Sequence, residues 1–265
     1  MGSGVLGVDF SGARAAGDAL WVTEAAQTRD GLRIDSCYRA TDRWGRDRET
    51  AHAALVDRIT DEDVATVGLD FPFSLPGRLL EERCGGTWRG LLEWLAGDEG
   101  PTDPESFSTA CREAAERLTG SRDVRRETDL QRGGLCPYTN RTRAMTFYGV
   151  RDVLGRLADA PDATVAPFQD ETSGTVVCEV YPAATFSWLG CYREGYKTAD
   201  GARARRRRNL ETVDACSVAL GERRETYLAN HDALDSLAAA VSAGRVDDWS
   251  RPVTVGTRDE GHIYV

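Results

Sequence analysis

The chain predicts an α/β fold: a mixed five-stranded sheet flanked by helices, with an antiparallel meander of three strands and two further strands running parallel within it. Three observations predict it. Residues 4–10 are a continuous apolar run, followed by two alternating stretches, 18–25 and 31–38. Turn residues separate them: Gly12 and residues 13–17 first, then Arg29-Asp30-Gly31, a hairpin signal. Ala51, Ala54, Leu55 and Ile59 then recur at helical spacing over 48–60, just before an apolar run at 64–70. A helix between two strands supplies the crossover that parallel pairing needs. The fifth strand is Thr175-Val176-Val177-Cys178-Glu179-Val180-Tyr181, which Pro182 ends.

The other elements follow in order. Residues 71–140 are rich in Gly, Pro, Arg and acids, with short helical patches near 86–96 and 105–119. This stretch reads as an insertion or lid within a single domain spanning 1–265. Residues 141–159 are helical in pattern and 162–174 form a polar loop. Helices are expected near 183–190, 203–221 and 224–243, the last with Gly244 as its C-cap, and short edge strands near 253–255 and 263–265.

A chain of 265 residues is long enough to bury a substantial core. Its formal charge is −10, and Lys197 is the only lysine among 33 Lys and Arg residues. The pattern is that of an acidic, salt-adapted, GC-rich proteome, so the acidity argues only weakly against a nucleic-acid partner. At high salt, counterion release adds little to such binding anyway. Seven scattered cysteines without a C-x-x-C, and only three histidines, argue against a zinc site or a disulfide framework. No signal-peptide pattern and no bilayer-length apolar run is present, so the expectation is a cytoplasmic protein without a membrane partner.

Acids stand where apolar patterning makes them costly. Asp9 closes the first apolar run, Asp70 closes the run at 64–70, and Asp232 and Asp235 open a helix of small and apolar residues. A carboxylate in such a place needs hydrogen bonds or a cation. Neighbouring strand ends would bring Asp9 and Asp70 within a few ångströms, where like charges must share a proton or a cation. Asp232 and Asp235 are three apart and lie on one helix face beside Ser236, Ala239 and Ala240, small enough for a close approach to the sheet. Oxygen-only donors suit Mg²⁺ or Mn²⁺. Each acid also has a plainer use: Asp9 and Asp70 can organise the turns after them, and Asp232 can cap its helix. Glu179 is either a fifth site acid or a buried partner for an arginine.

Four segments together resemble the family called domain of unknown function 429: Gly7-Val8-Asp9-Phe10-Ser11-Gly12-Ala13, Gly68-Leu69-Asp70-Phe71-Pro72-Phe73-Ser74-Leu75-Pro76, Glu179-Val180-Tyr181-Pro182-Ala183-Ala184 and His231-Asp232-Ala233-Leu234-Asp235-Ser236-Leu237-Ala238-Ala239. Members are described as predicted nucleases with a ribonuclease H-like fold. The closing segment is similar to the Holliday-junction resolvase branch, whose last helix carries two aspartates three apart. The resemblance implies metal ligation by Asp9, Asp70, Asp232 and Asp235. Many ribonuclease H-like enzymes carry the second acid as a glutamate; here Asp70 takes a strand position.

The expected chemistry is two-metal hydrolysis of a phosphodiester, with two ions about 4 Å apart bridged by Asp9. Expected substrate contacts are Ser11 in the first turn, Arg126, Asp129, Tyr138 and Arg141 from the insertion, and His231, which could shuttle a proton or simply bond at the helix start. The arginine run 203–208 could track a phosphate backbone or be a solvated helix face. Rival expectations are an actin-like or sugar-kinase-like ATPase or phosphotransferase, in which Asp9-Phe10-Ser11-Gly12 cradles a phosphate, and a non-catalytic binding protein that kept the fold. Chemistry on a small phosphate or nucleotide is a third.

Overall fold

A computed structural model describes residues 4–170, 174–245 and 258–265. Among them, eight strands build one mixed sheet: β1 Gly4–Asp9, β2 Trp21–Thr28, β3 Gly31–Arg39, β4 Val64–Asp70, β5 Ala163–Val165, β6 Thr175–Val180, β7 Val218–Ala219 and β8 Ile263–Tyr264. The order is β5-β6-β4-β1-β2-β3-β7, with β8 also paired to β6. β1, β2 and β3 form the antiparallel meander, while β4 lies parallel to β1 and β6 parallel to β4. The arrangement is consistent with a ribonuclease H-like fold.

Strand parity divides the core in two. Leu6, Val8, Val67, Leu69 and Val177 point to one face and join a large apolar cluster. That cluster takes in α1 (Arg48–Ile59), α2 (Gly77–Arg83), α3 (Trp88–Ala96) and α4 (Pro104–Thr119). It also takes in the helix that begins as α6 (Arg143–Tyr148), runs through a π-helical stretch Gly149–Leu154 and ends as α7 (Gly155–Leu157). A short α5 (Glu127–Arg132) lies between α4 and α6. Val5 and Ala25 point to the other face, against α8 (Pro182–Trp188), α9 (Ala202–Ala215), α10 (Arg224–Ala229) and α11 (His231–Ala243). The result is a helix–sheet–helix sandwich, the layering that buries both faces of a parallel sheet core.

The five expected strands form the body of this sheet, and the differences lie at short elements. β5 falls inside the expected polar loop; three buried residues are too few to show periodicity. α9 stops at Ala215, because Ser217 takes a positive φ of 63° and turns the chain into β7 beside β3. The expected helix 224–243 is two helices, broken at the extended residue Asn230. Gly244 follows α11 as its C-cap. The strand expected near 253–255 lies outside the described residues. Among the described residues no helix is long and apolar enough to cross a membrane.

Candidate functional site

Asp9 and Asp70 are register partners on the parallel pair β1 and β4. Adjacent strands lie about 4.8 Å apart, and residues directly across share a face, so both carboxylates leave the same side of the sheet. They sit at the carboxyl ends of these strands, the usual ligand edge of a parallel sheet. Two residues earlier, on that same face, stand Gly7 and Gly68. α11 rests on them. A Cβ on Gly7 would strike the Ser236 carbonyl oxygen and the Ala240 nitrogen, and one on Gly68 would strike the Ala239 carbonyl. The glycines and the small residues of α11 therefore permit an approach no larger side chain allows. That approach delivers the first turns of α11, with Asp232 and Asp235, to the strand ends.

The cap of α11 is Asn230, whose side-chain oxygen accepts from the Asp232 and Ala233 amides at 2.7 and 3.1 Å. The capping role expected as an alternative for Asp232 is thus taken by another residue, and the Asp232 side chain lines the cleft instead. Burial and the neighbouring Asp235, Asp70 and Asp232 carboxylates push the Asp9 carboxyl well up; Lys197 opposes them. Burial, then Asp235, pushes Asp70 up to about 8. Asp235 is fully buried and also raised by burial, with Lys197 and Tyr196 pulling the other way. Taken together, these carboxyls demand protons or positive charge.

One residue meets part of that demand. Lys197 Nζ lies 2.6 Å from Asp235 Oδ2, and the Tyr196 hydroxyl donates to Asp235 Oδ1 at 2.7 Å. Burial works against the Lys197 charge, but Asp235 outweighs it and raises the pKa. Both residues ride on the loop between α8 and α9. The buried Arg206 holds that loop by donating to the Tyr196 and Lys197 carbonyls at 2.6 and 3.1 Å, and to Leu228 at 2.8 Å. Arg205 donates to the Gly195 and Asp200 carbonyls. Two arginines of the 203–208 run therefore brace a loop, while Arg203 and Arg208 pair with Glu225 and Glu211. Among the described residues, no three His, Cys, Asp or Glu side chains already stand close enough together to grip a metal ion.

Asp9, Asp70 and Asp232 open on a cleft of about 500 Å³, lined also by Phe10, Ser11, Arg141, Met145 and Lys197. A second cavity of about 420 Å³ shares Lys197 and Asp70 with it and is lined also by Asp235, Arg193 and Glu194. The family model described as "Protein of unknown function (DUF429)" matches residues 7–255. The chain belongs to the DUF429 family. No curated protein and no solved structure matches it.

Glu179 of this DUF429 protein is not on the acid face. Its register partner on β4 is Leu69, one residue before Asp70, so parity turns it to the opposite side of the sheet. There both its oxygens accept from Arg126, at 2.5 and 2.7 Å, and Oε2 also accepts from the Phe73 amide. Asp129 takes the rest of the same guanidinium. Arg126, Asp129 and Glu179 are all buried, at 0, 1 and 3% exposure. Of the two readings of Glu179, the geometry is that of the arginine partner. Arg126 and Asp129, expected as substrate contacts, are joined to Glu179 in this buried ion triad, which lines part of the cleft.

Tyr138 is likewise fully buried, its hydroxyl accepting from the Val124 amide at 2.9 Å, and it does not line the cleft. Ser11 and the exposed Arg141 do line it. His231 Nδ1 sits 2.6 Å from Asp232 Oδ1, beside the acids. DUF429 residues that sequence reasoning missed are Lys197, Tyr196 and Arg206. They lie in or behind a loop without periodicity; the one signal was that Lys197 is the sole lysine.

Proposed function

We propose that this DUF429 protein is a nuclease, hydrolysing phosphodiester bonds of nucleic acid with Mg²⁺ or Mn²⁺ held by Asp9, Asp70, Asp232 and Asp235. What carries the reading is a single observation: four carboxylates from three elements distant in sequence converge at the carboxyl edge of the parallel strands. Only one ammonium stands against them. The donor set fits a hard divalent cation, because every donor is a carboxylate oxygen and the acids' mutual repulsion is relieved by added positive charge. When bound, such ions supply Lewis-acid stabilisation of the attacking and leaving oxygens of an in-line displacement.

The chain's own groups have separate tasks. Asp9 is the acid on which all three others bear, Asp235 most, then Asp70 and Asp232. The Ser11 hydroxyl and the Arg141 guanidinium face the cleft and are placed to hold phosphate oxygens, Arg141 by charge-assisted hydrogen bonds. Phe10 and Phe71, with ring centroids 4.4 Å apart, form an apolar floor that limits water beside the acids.

The test is cleavage of single-stranded, duplex, hybrid and junction oligonucleotides of DNA and RNA with Mg²⁺ or Mn²⁺. Wild-type protein should cut at least one, and Asp9→Asn and Asp235→Asn should reduce the rate by about two to three orders of magnitude, the range expected when a central charge-stabilising group is lost. Cleavage that persists in EDTA or in Asp9→Asn would sink the reading.

A further inference from the structure

We propose that Lys197 is a built-in counter-cation that competes with divalent ions for the acid cluster and withdraws from Asp235 when they bind. The inference rests on the metal-dependent reading of the same site and adds to it the residue that sets metal affinity.

The position is specific. Arginine supplies 32 of the chain's 33 basic residues (33 Lys and Arg less one Lys), yet the residue against the acid cluster is the one lysine. Arginine would be the wrong group there. A planar guanidinium binds a carboxylate through two parallel hydrogen bonds and would lock Asp235, whereas an ammonium is a compact point charge on a flexible stem. Lys197 also holds Asp235 by a single contact, at Oδ2, and Tyr196 keeps the other oxygen.

The surroundings allow the ammonium to leave without moving the loop. Arg205 and Arg206 hold the backbone of residues 195–200 through carbonyls, so the anchor does not involve the Lys197 side chain. That side chain is 52% exposed. It lines two cavities, and the one of about 420 Å³ presents the exposed Glu194 as an alternative partner. The acids as they stand do not form a ready metal nest among the described residues. Removing the ammonium frees Asp235 Oδ2 and one negative charge for an incoming ion.

The consequence is an ordering. Mn²⁺ affinity, measured by calorimetric titration and by electron paramagnetic resonance of free Mn²⁺, should rise about tenfold in Lys197→Met and Lys197→Gln, a conservative figure for deleting a half-exposed charge in contact with a ligand. In Lys197→Arg it should fall below wild type. The Mn²⁺-induced rise in Tm should follow the same order, Met above Lys above Arg. Melting in EDTA checks that each variant is folded, and Asp235→Asn checks that the titration reports this cluster. Equal or weaker Mn²⁺ binding in both neutral variants, with the Asp235→Asn effect present, overturns the inference alone. No Mn²⁺ binding by any form overturns it together with the metal-dependent reading. Tighter binding in Lys197→Met and Lys197→Gln without cleavage of any nucleic acid supports it and removes only the nuclease reading.

Discussion

Gly7→Ala adds one methyl group and should do more damage than most core truncations. The new Cβ meets the Ser236 carbonyl oxygen and the Ala240 nitrogen, two atoms of the α11 backbone four residues apart. No rotamer change can relieve a clash with backbone, so the whole helix must shift. All eleven residues from Ala233 to Ala243 are buried, so a shift disturbs packing along its length. Overpacking typically costs about 1–3 kcal/mol where side chains can adjust; with none to adjust, the expected loss is about 3 kcal/mol or more. For a chain of this size that lowers Tm by roughly 10 °C. Urea unfolding measures the loss, and Gly155→Ala is the control. Gly155 is helical, with φ −58°, and its Cβ would lie 3.6 Å from the nearest atom, so alanine there should be neutral or add up to about 1 kcal/mol. The displaced helix also carries Asp232 and Asp235, so Mn²⁺ affinity should fall in Gly7→Ala. A Gly7→Ala protein with wild-type stability and wild-type Mn²⁺ binding would refute the argument that close approach of α11 to β1 assembles the acids.

Two further outcomes follow from the opposite face of the sheet and from the edge strand. Arg126→Met leaves the buried Asp129 and Glu179 carboxylates facing each other without a cation and should destabilise by about 3–5 kcal/mol, read by urea unfolding; a loss under 1 kcal/mol would contradict the triad. His262, beside β8, is pushed down from 6.5 to about 4 by burial and then by Arg132 and Arg126, so the unfolded chain binds its proton more readily. Its share of stability is complete above pH 6.5 and is lost as pH falls toward 4, up to about 3 kcal/mol. The difference in stability between wild type and His262→Gln between pH 7 and pH 4 measures it; an NMR titration giving a pKa near 6.5 would remove the claim.

What the residue pattern revealed, and what it did not, follows from range. β1 and β4 were readable because each is an apolar run long enough to show burial, with an acid at its end. α11 was readable because Ser236, Ala239 and Ala240 mark a small-residue face beside two aspartates. β5 and β7, of three and two residues, are below the length at which any period shows. The face of Glu179 could not be read, because parity within a strand is local but its sense relative to Asp70 depends on the register between β4 and β6, which involves residues over a hundred positions apart. Arg126 failed for a related reason: an arginine in a polar segment looks solvated until tertiary structure supplies two buried carboxylates. Lys197 sits in an irregular loop, and only composition set it apart.

The two charge clusters at the carboxyl edge differ in how far their acids are paired. On the α1 face, Arg126 meets two carboxylates, and the remaining lone pairs accept backbone amides, from Phe73 for Glu179 and from Arg126 itself for Asp129. That triad is nearly closed: formal charge −1, every member hydrogen-bonded, nothing left to bind. On the α11 face, four carboxylates oppose one ammonium. Burial raises the carboxyl pKa on both faces, Glu179 included, but after burial the largest influence on Glu179 is the lowering by Arg126, whereas on Asp9 and Asp70 it is the raising by Asp235. Folding alone gives no reason to assemble such an arrangement, since three acids replaced by apolar residues of like size would pack without penalty. The glycines at positions 7 and 68 belong to the same arrangement: they let α11 lie directly on the strands, which brings its aspartates to the ends that carry Asp9 and Asp70. A cation arriving from solution would relieve the repulsion among these carboxylates, as proposed above, which is why metal titration, ahead of any substrate screen, is the decisive measurement on this protein.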